Sequence, residues 1–157
     1  MIRAIQIISK KKPLIDWPCS ILEIGTGSGI LSIHLMKIFK GAKFVATDIS
    51  LVSGEIAREN IINNLPHPSP QFNIIVMDLF AGFQIRPLFD LILFNPPYVP
   101  TSQEEMSQGG IFRTWAGGQD GTEVILRFLH KAPKFLVSRG QILLLLSSLN
   151  RLPKIRE

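Results

Sequence analysis

Short apolar runs alternate with amphipathic stretches along most of the chain. The runs at 20–24, 43–47, 72–76, 90–94 and 141–147 are brief and nearly unbroken in Ile, Leu, Val and Phe, as strands buried on both faces are. Between them, 29–39 and 53–64 carry apolar residues at helical spacing, and Val124, Ile125, Phe128, Leu129, Ala132 and Leu136 share one face of a further helix. Pro133 is expected to kink that helix, because proline removes a donor and crowds the preceding turn. Five strands with interposed helices predict an α/β fold with a doubly wound, mostly parallel sheet. Pro66, Pro68 and Pro70 mark a loop after the second helix. The segment 95–121 is rich in Gly and Pro and long enough to be a functional loop.

Composition narrows the setting. A length of 157 residues suits one domain, with 1–16 as an N-terminal helix and basic linker, 17–150 as the core and 151–157 as a basic tail. With 46% hydrophobic and 18% charged residues the chain is expected to fold around a core. Mean hydropathy is +0.26, yet the longest wholly apolar runs, 91–94 and 142–146, fall far short of the roughly 20 residues that span a bilayer. No signal-peptide core precedes the lysines at 10–12. One cysteine, Cys19, excludes an intrachain disulfide or a cysteine zinc site, and a cytoplasmic location is expected. The net charge of +5 lies wholly in the two ends; residues 17–150 hold ten basic and ten acidic side chains, which argues against direct nucleic-acid binding. His34 and His130 have no cysteine or acid at metal-ligand spacing, so no metal site is expected.

The first strand runs through Glu23 into Gly25, Thr26, Gly27, Ser28 and Gly29, and then into an apolar helix. Glycines there let the backbone turn sharply and approach a ligand, while the helix start presents unpaired N–H groups. A dinucleotide fingerprint would place its third glycine at position 30, where Ile30 stands. The compact pattern behind an acidic Glu23 suits a ligand with a cationic amino acid portion and no pyrophosphate, and S-adenosylmethionine fits that description. Asp48 follows Gly25 by 23 residues, near the offset of about 20 at which an acid meets ribose hydroxyls in this architecture. Asp78 ends the third strand, where its carboxylate and a neighbouring N–H could grip an adenine edge while Leu79 covers a ring face. Both acids also have a second, less favoured reading as helix N-caps.

The most specific signal is Asn95, Pro96, Pro97, Tyr98, directly after the fourth strand. Prolines fix φ and restrict the preceding residue, so the Asn95 side chain and the Pro96 carbonyl become two acceptors held at the carboxyl end of the sheet. A planar NH₂ group with a delocalised lone pair is a poor nucleophile until its two N–H bonds are pinned and its lone pair is aimed. Two acceptors can do this while Tyr98 packs on the planar group.

Glu23 to Gly29, Asp48, Asp78 with Leu79, and Asn95 to Tyr98 resemble the motifs of class I S-adenosylmethionine methyltransferases of the N5-glutamine, HemK/PrmC-like family. The stretch Trp115, Ala116, Gly117, Gly118, Gln119, Asp120, Gly121 is similar to its eukaryotic and archaeal release-factor branch. The resemblance covers about residues 20–148. It implies methylation of the glutamine in the Gly-Gly-Gln motif of a class I peptide-release factor, with S-adenosyl-L-methionine as donor. By the same resemblance Glu23, Gly25, Thr26, Gly27, Asp48, Asp78, Leu79 and Asn95 contact the donor, and Asn95, Pro96, Pro97 and Tyr98 hold the acceptor. It further implies a small zinc-binding activator of the Trm112 type on the edge strand 72–76, any zinc belonging to that partner. The family's acidic, threonine-containing segment does not precede Met1-Ile2-Arg3. The chain ends at Glu157, before the last two strands of the family's Rossmann-like sheet, so 141–147 is expected as an exposed edge.

Two alternatives remain open on the sequence. The Asn-Pro-Pro-Tyr motif is shared with adenine-N6 methyltransferases of DNA and RNA, although flipped-base enzymes need phosphate contacts that a neutral body does not offer. A shortened, catalytically weak binding module with the same fold is the other.

Overall fold

A computed structural model describes residues 20–65, 71–101, 117–118, 120–147 and 150. The expected N-terminal helix and linker, Cys19, the proline loop at 66–70, Trp115, Ala116, Gln119 and the basic tail lie outside the described residues. In chain order the elements are β1 (Ser20–Ile24), α1 (Ile30–Ile38), β2 (Lys43–Asp48), α2 (Leu51–Asn64), β3 (Phe72–Val76), β4 (Phe89–Phe94), α3 (Glu123–Lys131), a 3₁₀ turn (Ala132–Phe135) and β5 (Leu136–Leu144). The strands form one sheet in the order β3-β2-β1-β4-β5, and every pairing in it is parallel.

Successive side chains of a strand face opposite ways, so β1 and β4 supply both cores at once. Ile21, Leu91 and Leu93 meet Leu35 and Met36 of α1 and Ile61 of α2 on one face. Leu22, Ile24, Ile92 and Phe94 meet Phe128 of α3 and Phe135 on the other. Both layers exclude water from the central strands, which explains their unbroken apolar runs. On the α3 face Phe80 stacks on Phe135 with ring centroids 4.6 Å apart, and Phe94 lies 4.8 Å from Phe128. These rings sit beneath the point where β4 gives way to Asn95.

The strand boundaries differ from expectation chiefly at the far side of the sheet. β5 begins at Leu136, not at 141, and ends at Leu144, not at 147. Phe89 pairs with Leu136 but Leu91 pairs with Gln141, so β5 advances five residues where β4 advances two. The surplus bulges out, and Arg139 takes a left-handed φ of 67° within it. The paired portion therefore starts where the apolar run starts, at Gln141. The α3 face extends less far than the sequence spacing suggested: the α-helix stops at Lys131, and the chain tightens into the 3₁₀ turn containing Pro133. Leu136 already belongs to the sheet, not to the helix. α2 starts two residues before its expected position, because Ser50 accepts the Ser53 N–H at 3.2 Å and caps it.

Phe128 is fully buried among Phe80, Phe94 and the apolar face of β4. Phe128→Ala is expected to lower unfolding free energy by about 3 to 5 kcal/mol, read from urea unfolding followed by far-ultraviolet circular dichroism. A loss below about 1 kcal/mol would mean that this aromatic cluster is not what closes the second face.

Candidate functional site

β1 lies between β2 and β4, so the connections leaving β1 turn to one side of the sheet and those leaving β4 to the other. Such a reversal opens a crevice at the carboxyl ends of the two strands. Gly25, Thr26 and Gly27 lead out of β1 into this crevice, and Asn95 leads out of β4. A methyl group built on Gly25 would lie 3.5 Å from the Phe94 ring and 4.0 Å from the Asn95 carbonyl oxygen. The glycine turn and the asparagine-proline corner are thus immediate neighbours.

The turn is held by its own polar groups. Thr26 N–H donates to the Thr47 carbonyl at 3.0 Å, and Gly29 N–H to the Thr26 carbonyl at 2.9 Å. Gly27 has a φ of 55°, and a methyl built on it meets no atom within 4 Å, so its outer side is open space. Gly29 is required for a different reason: a methyl there would be 3.1 Å from the Ala57 Cα, where α2 crosses the turn.

Glu23 is only 2% exposed. It accepts hydrogen bonds from Thr26 Oγ1 at 3.1 Å and from Ser32 Oγ of α1. Burial pushes its carboxyl up to about 7, the hydroxyls of Ser32 and Thr26 pull it down, and the negative charge of Asp48 raises it further. Asp48 is 9% exposed and already employs both oxygens, accepting Gly27 N–H and Ser50 N–H at 2.9 Å each. Ser50, not Asp48, caps α2. A carboxylate has about four acceptor positions, so Asp48 can still receive two hydroxyls.

Asp78 forms an ion pair with Arg127 of α3, a partner that no sequence pattern pointed to. Residues 78–83 form turns rather than a helix, so Asp78 is not an N-cap. Leu79 takes a left-handed φ of 50° and is buried against the aromatic cluster. Such a conformation is costly for a branched side chain and persists only where surrounding packing enforces it.

At the other strand, Asn95 is exposed, Pro96 buried, and Pro97 and Tyr98 half-buried. Among the described residues neither the Asn95 side chain nor the Pro96 carbonyl takes part in a hydrogen bond, so both acceptors are open to a ligand. The corner is braced from behind. Gly117 N–H donates to the Val99 carbonyl at 2.8 Å, and Thr101 N–H to the Gly118 carbonyl at 2.9 Å. Asn150, which no sequence pattern singled out, donates to the Tyr98 carbonyl at 3.0 Å. Among the described residues no cluster of three or more His, Cys, Asp or Glu could hold a metal ion, and no helix is long and apolar enough to cross a membrane.

The family described as "Methyltransferase small domain" matches residues 13–155. Over 131 residues the chain is 39% identical to a candidate protein N5-glutamine methyltransferase of Methanocaldococcus jannaschii, covering 82% of this chain and 62% of that protein. Over 136 residues it is 34% identical to a release factor glutamine methyltransferase of Rhodopirellula baltica, covering 82% of this chain and 44% of that protein. The chain therefore spans about half the length of these curated relatives. In structure it is similar to a ribosomal protein L11 methylase of Lactobacillus delbrueckii subsp. bulgaricus, with a TM-score of 0.64 and 24% identity over 99% of this chain and 64% of the other. That likeness bears on the fold, and it agrees with the parallel sheet described above.

The Glu23 carboxyl gives a pH prediction with a definite sign. Its folded value of about 7 exceeds the ordinary 4.5, so the folded state keeps a proton that the unfolded chain loses. The burial cost is absent below pH 4.5 and complete above pH 7. Glu23→Gln is expected to gain stability relative to the unaltered protein as pH rises from 5 to 8, approaching about 3 kcal/mol. Parallel pH profiles of unfolding midpoint would expose this as a missing carboxyl.

Proposed function

We propose, on the premise that this chain belongs to the methyltransferase small domain family and to its HemK/PrmC-like N5-glutamine group, that it methylates the side-chain nitrogen of a glutamine. The acceptor is the Gly-Gly-Gln motif of a class I peptide-release factor, and residues 1–157 act as one methyltransferase domain. The single observation that carries the reading is the pair of free acceptors, Asn95 Oδ1 and the Pro96 carbonyl, beside the Gly25 turn.

The donor is S-adenosyl-L-methionine, and the crevice suits it. The open side of Gly27 leaves room for a ligand close to the backbone, and Asp48 and the buried Glu23, whose proton a cationic group would help to displace, lie beside that space. Glu23, Gly25, Thr26 and Gly27 would hold the methionine portion, Asp48 the ribose hydroxyls, and Asp78 with Leu79 the adenine. When bound, the donor supplies an electrophilic methyl group on a sulfonium sulfur.

Asn95 Oδ1 and the Pro96 carbonyl accept the two N–H bonds of the glutamine amide and fix its plane. Pro97 holds the corner rigid, and Tyr98 packs on the flat group. So held, the nitrogen lone pair would be aimed at the methyl carbon that the donor would supply, and the N–H proton given up on transfer would pass to water at the exposed Asn95. The demand on the protein is alignment rather than a strong base, in agreement with a site built from an amide and a carbonyl.

A small zinc-binding activator of the Trm112 type is proposed to add to the β3 edge. Among the described residues β3 pairs only with β2, and Val76 on it is exposed. Leu51, Val52 and Ile56 of α2, which packs on β3 through Gly54, are also exposed. An open edge beside apolar side chains favours strand addition.

Transfer of a labelled methyl group is expected to a Gly-Gly-Gln protein and not to its Gly-Gly-Asn counterpart; label found instead in adenine oligonucleotides would overturn the acceptor. Asn95→Ala should abolish transfer while donor affinity, measured by calorimetry, stays within about threefold, because this side chain orients the acceptor. Asp48→Ala should do the reverse and weaken donor binding by about 1 to 3 kcal/mol, an unchanged affinity removing Asp48 from the binding set.

A further inference from the structure

Asn150 ties together three stretches of chain that are remote in sequence. It is 2% exposed. Its Nδ2 donates to the Tyr98 carbonyl at 3.0 Å and the Gly121 carbonyl at 2.9 Å, and its Oδ1 accepts Ser147 N–H at 2.9 Å. Both amide hydrogens and the oxygen are thus engaged. Its backbone N–H also donates to the Ser147 carbonyl at 3.0 Å, so the side chain is carried on a closed turn after β5.

The packing around these bonds leaves no slack. A methyl group built on Gly121 would lie 2.4 Å from the Tyr98 oxygen and 2.8 Å from Asn150 Nδ2. One built on Gly117 would lie 2.8 Å from the Pro97 oxygen. The glycine segment presses backbone against backbone on the far side of the corner, and Asn150 locks the contact.

Pro96 and Pro97 set φ, and Pro97 also confines ψ at Pro96, but ψ at Pro97 stays free, so the prolines do not by themselves anchor the far end of the corner against the sheet. What closes the freedom is that the carbonyls flanking the corner are both held from one stretch of chain. Leu145 N–H donates to the Phe94 carbonyl at 3.0 Å, and Asn150 holds Tyr98. Between those two fixed points, Asn95 Oδ1 and the Pro96 carbonyl remain free for a ligand.

We propose that Asn150 is a positioning residue for methyl transfer: through the Tyr98 carbonyl it fixes the direction in which the asparagine-proline corner presents its two acceptors. This rests on the reading that the corner receives a glutamine amide. Asn150 acts through the backbone and touches neither donor nor acceptor.

Asn150→Asp keeps the shape and the acceptor from Ser147 but removes both donors and sets a carboxylate against two carbonyls. In the full chain, kcat for a Gly-Gly-Gln protein is expected to fall about 10- to 100-fold, with donor Kd within about threefold. Lowering the pH should recover part of kcat, because the protonated carboxyl regains one donor; circular dichroism at each pH, showing the same folded fraction, separates this from a fault in folding. Tyr98 is the single tyrosine of the chain, so 3-fluorotyrosine labelling reports on the corner directly. Its fluorine resonance should shift or broaden in Asn150→Asp. An unchanged resonance, or donor affinity falling in step with kcat, would overturn the proposal.

If the unaltered protein transfers nothing to Gly-Gly-Gln, the glutamine reading fails, and the fluorine resonance still decides whether Asn150 holds the corner. Should the variant not fold, the unaltered protein gives the answer. Slow solvent exchange of the Asn150 carboxamide hydrogens supports the clamp, and free exchange overturns it.

Discussion

β1 and β4 run in the same direction side by side, with Ile24 paired to Phe94 at their carboxyl ends. The segments that continue from these two residues must share a small volume, because the layers above and below the sheet are already filled by α1 and α3. The absence of a side chain at Gly25 keeps that volume open against the Phe94 ring. Groups held by the glycine turn on one side and by the asparagine-proline corner on the other can then meet without either segment reaching across the sheet. The site's precision is inherited from strand register, which is set by apolar packing well below it.

Local patterns in the sequence carried a large share of this arrangement. β1 and β3 have the bounds their apolar runs suggest, since a short buried strand is defined by residues adjacent in the chain. The positions of Glu23, Gly25, Gly27, Asp48 and Asn95 to Tyr98 were legible for the same reason: Glu23 and Asp48 lie in the last two residues of β1 and β2, and the others directly follow a strand. β5 was misjudged because the surplus within Val137 to Gly140 is settled by pairing with β4 and not by any periodicity of its own. α2 was entered late because Leu51 and Val52 in its first turn face solvent and obscure the helical spacing. Arg127 on Asp78 and Asn150 on Tyr98 lay beyond reach, for these partners are 49 and 52 residues apart and only the folded sheet brings them together.

Charge within the crevice is arranged with economy. Glu23 and Asp48 lie on neighbouring strands, and the charge of Asp48 disfavours ionisation of Glu23. Asp48 is stabilised by two backbone N–H groups, whereas Glu23 has two hydroxyls and far less contact with water. The carboxyl that keeps its proton near neutral pH is therefore the more deeply buried one. Bringing a positive charge into the crevice would favour release of that proton.

The surplus in β5 has a consequence for how copies of the molecule meet. A strand arriving from outside would need an even row of N–H and C=O groups, and the loop from Val137 to Gly140 breaks that row. Only Gln141 to Leu144 remain straight enough to serve as a template. With Arg139 exposed in a left-handed turn, the bulge makes this side of β5 a poorer template for strand addition than an unbroken strand would be.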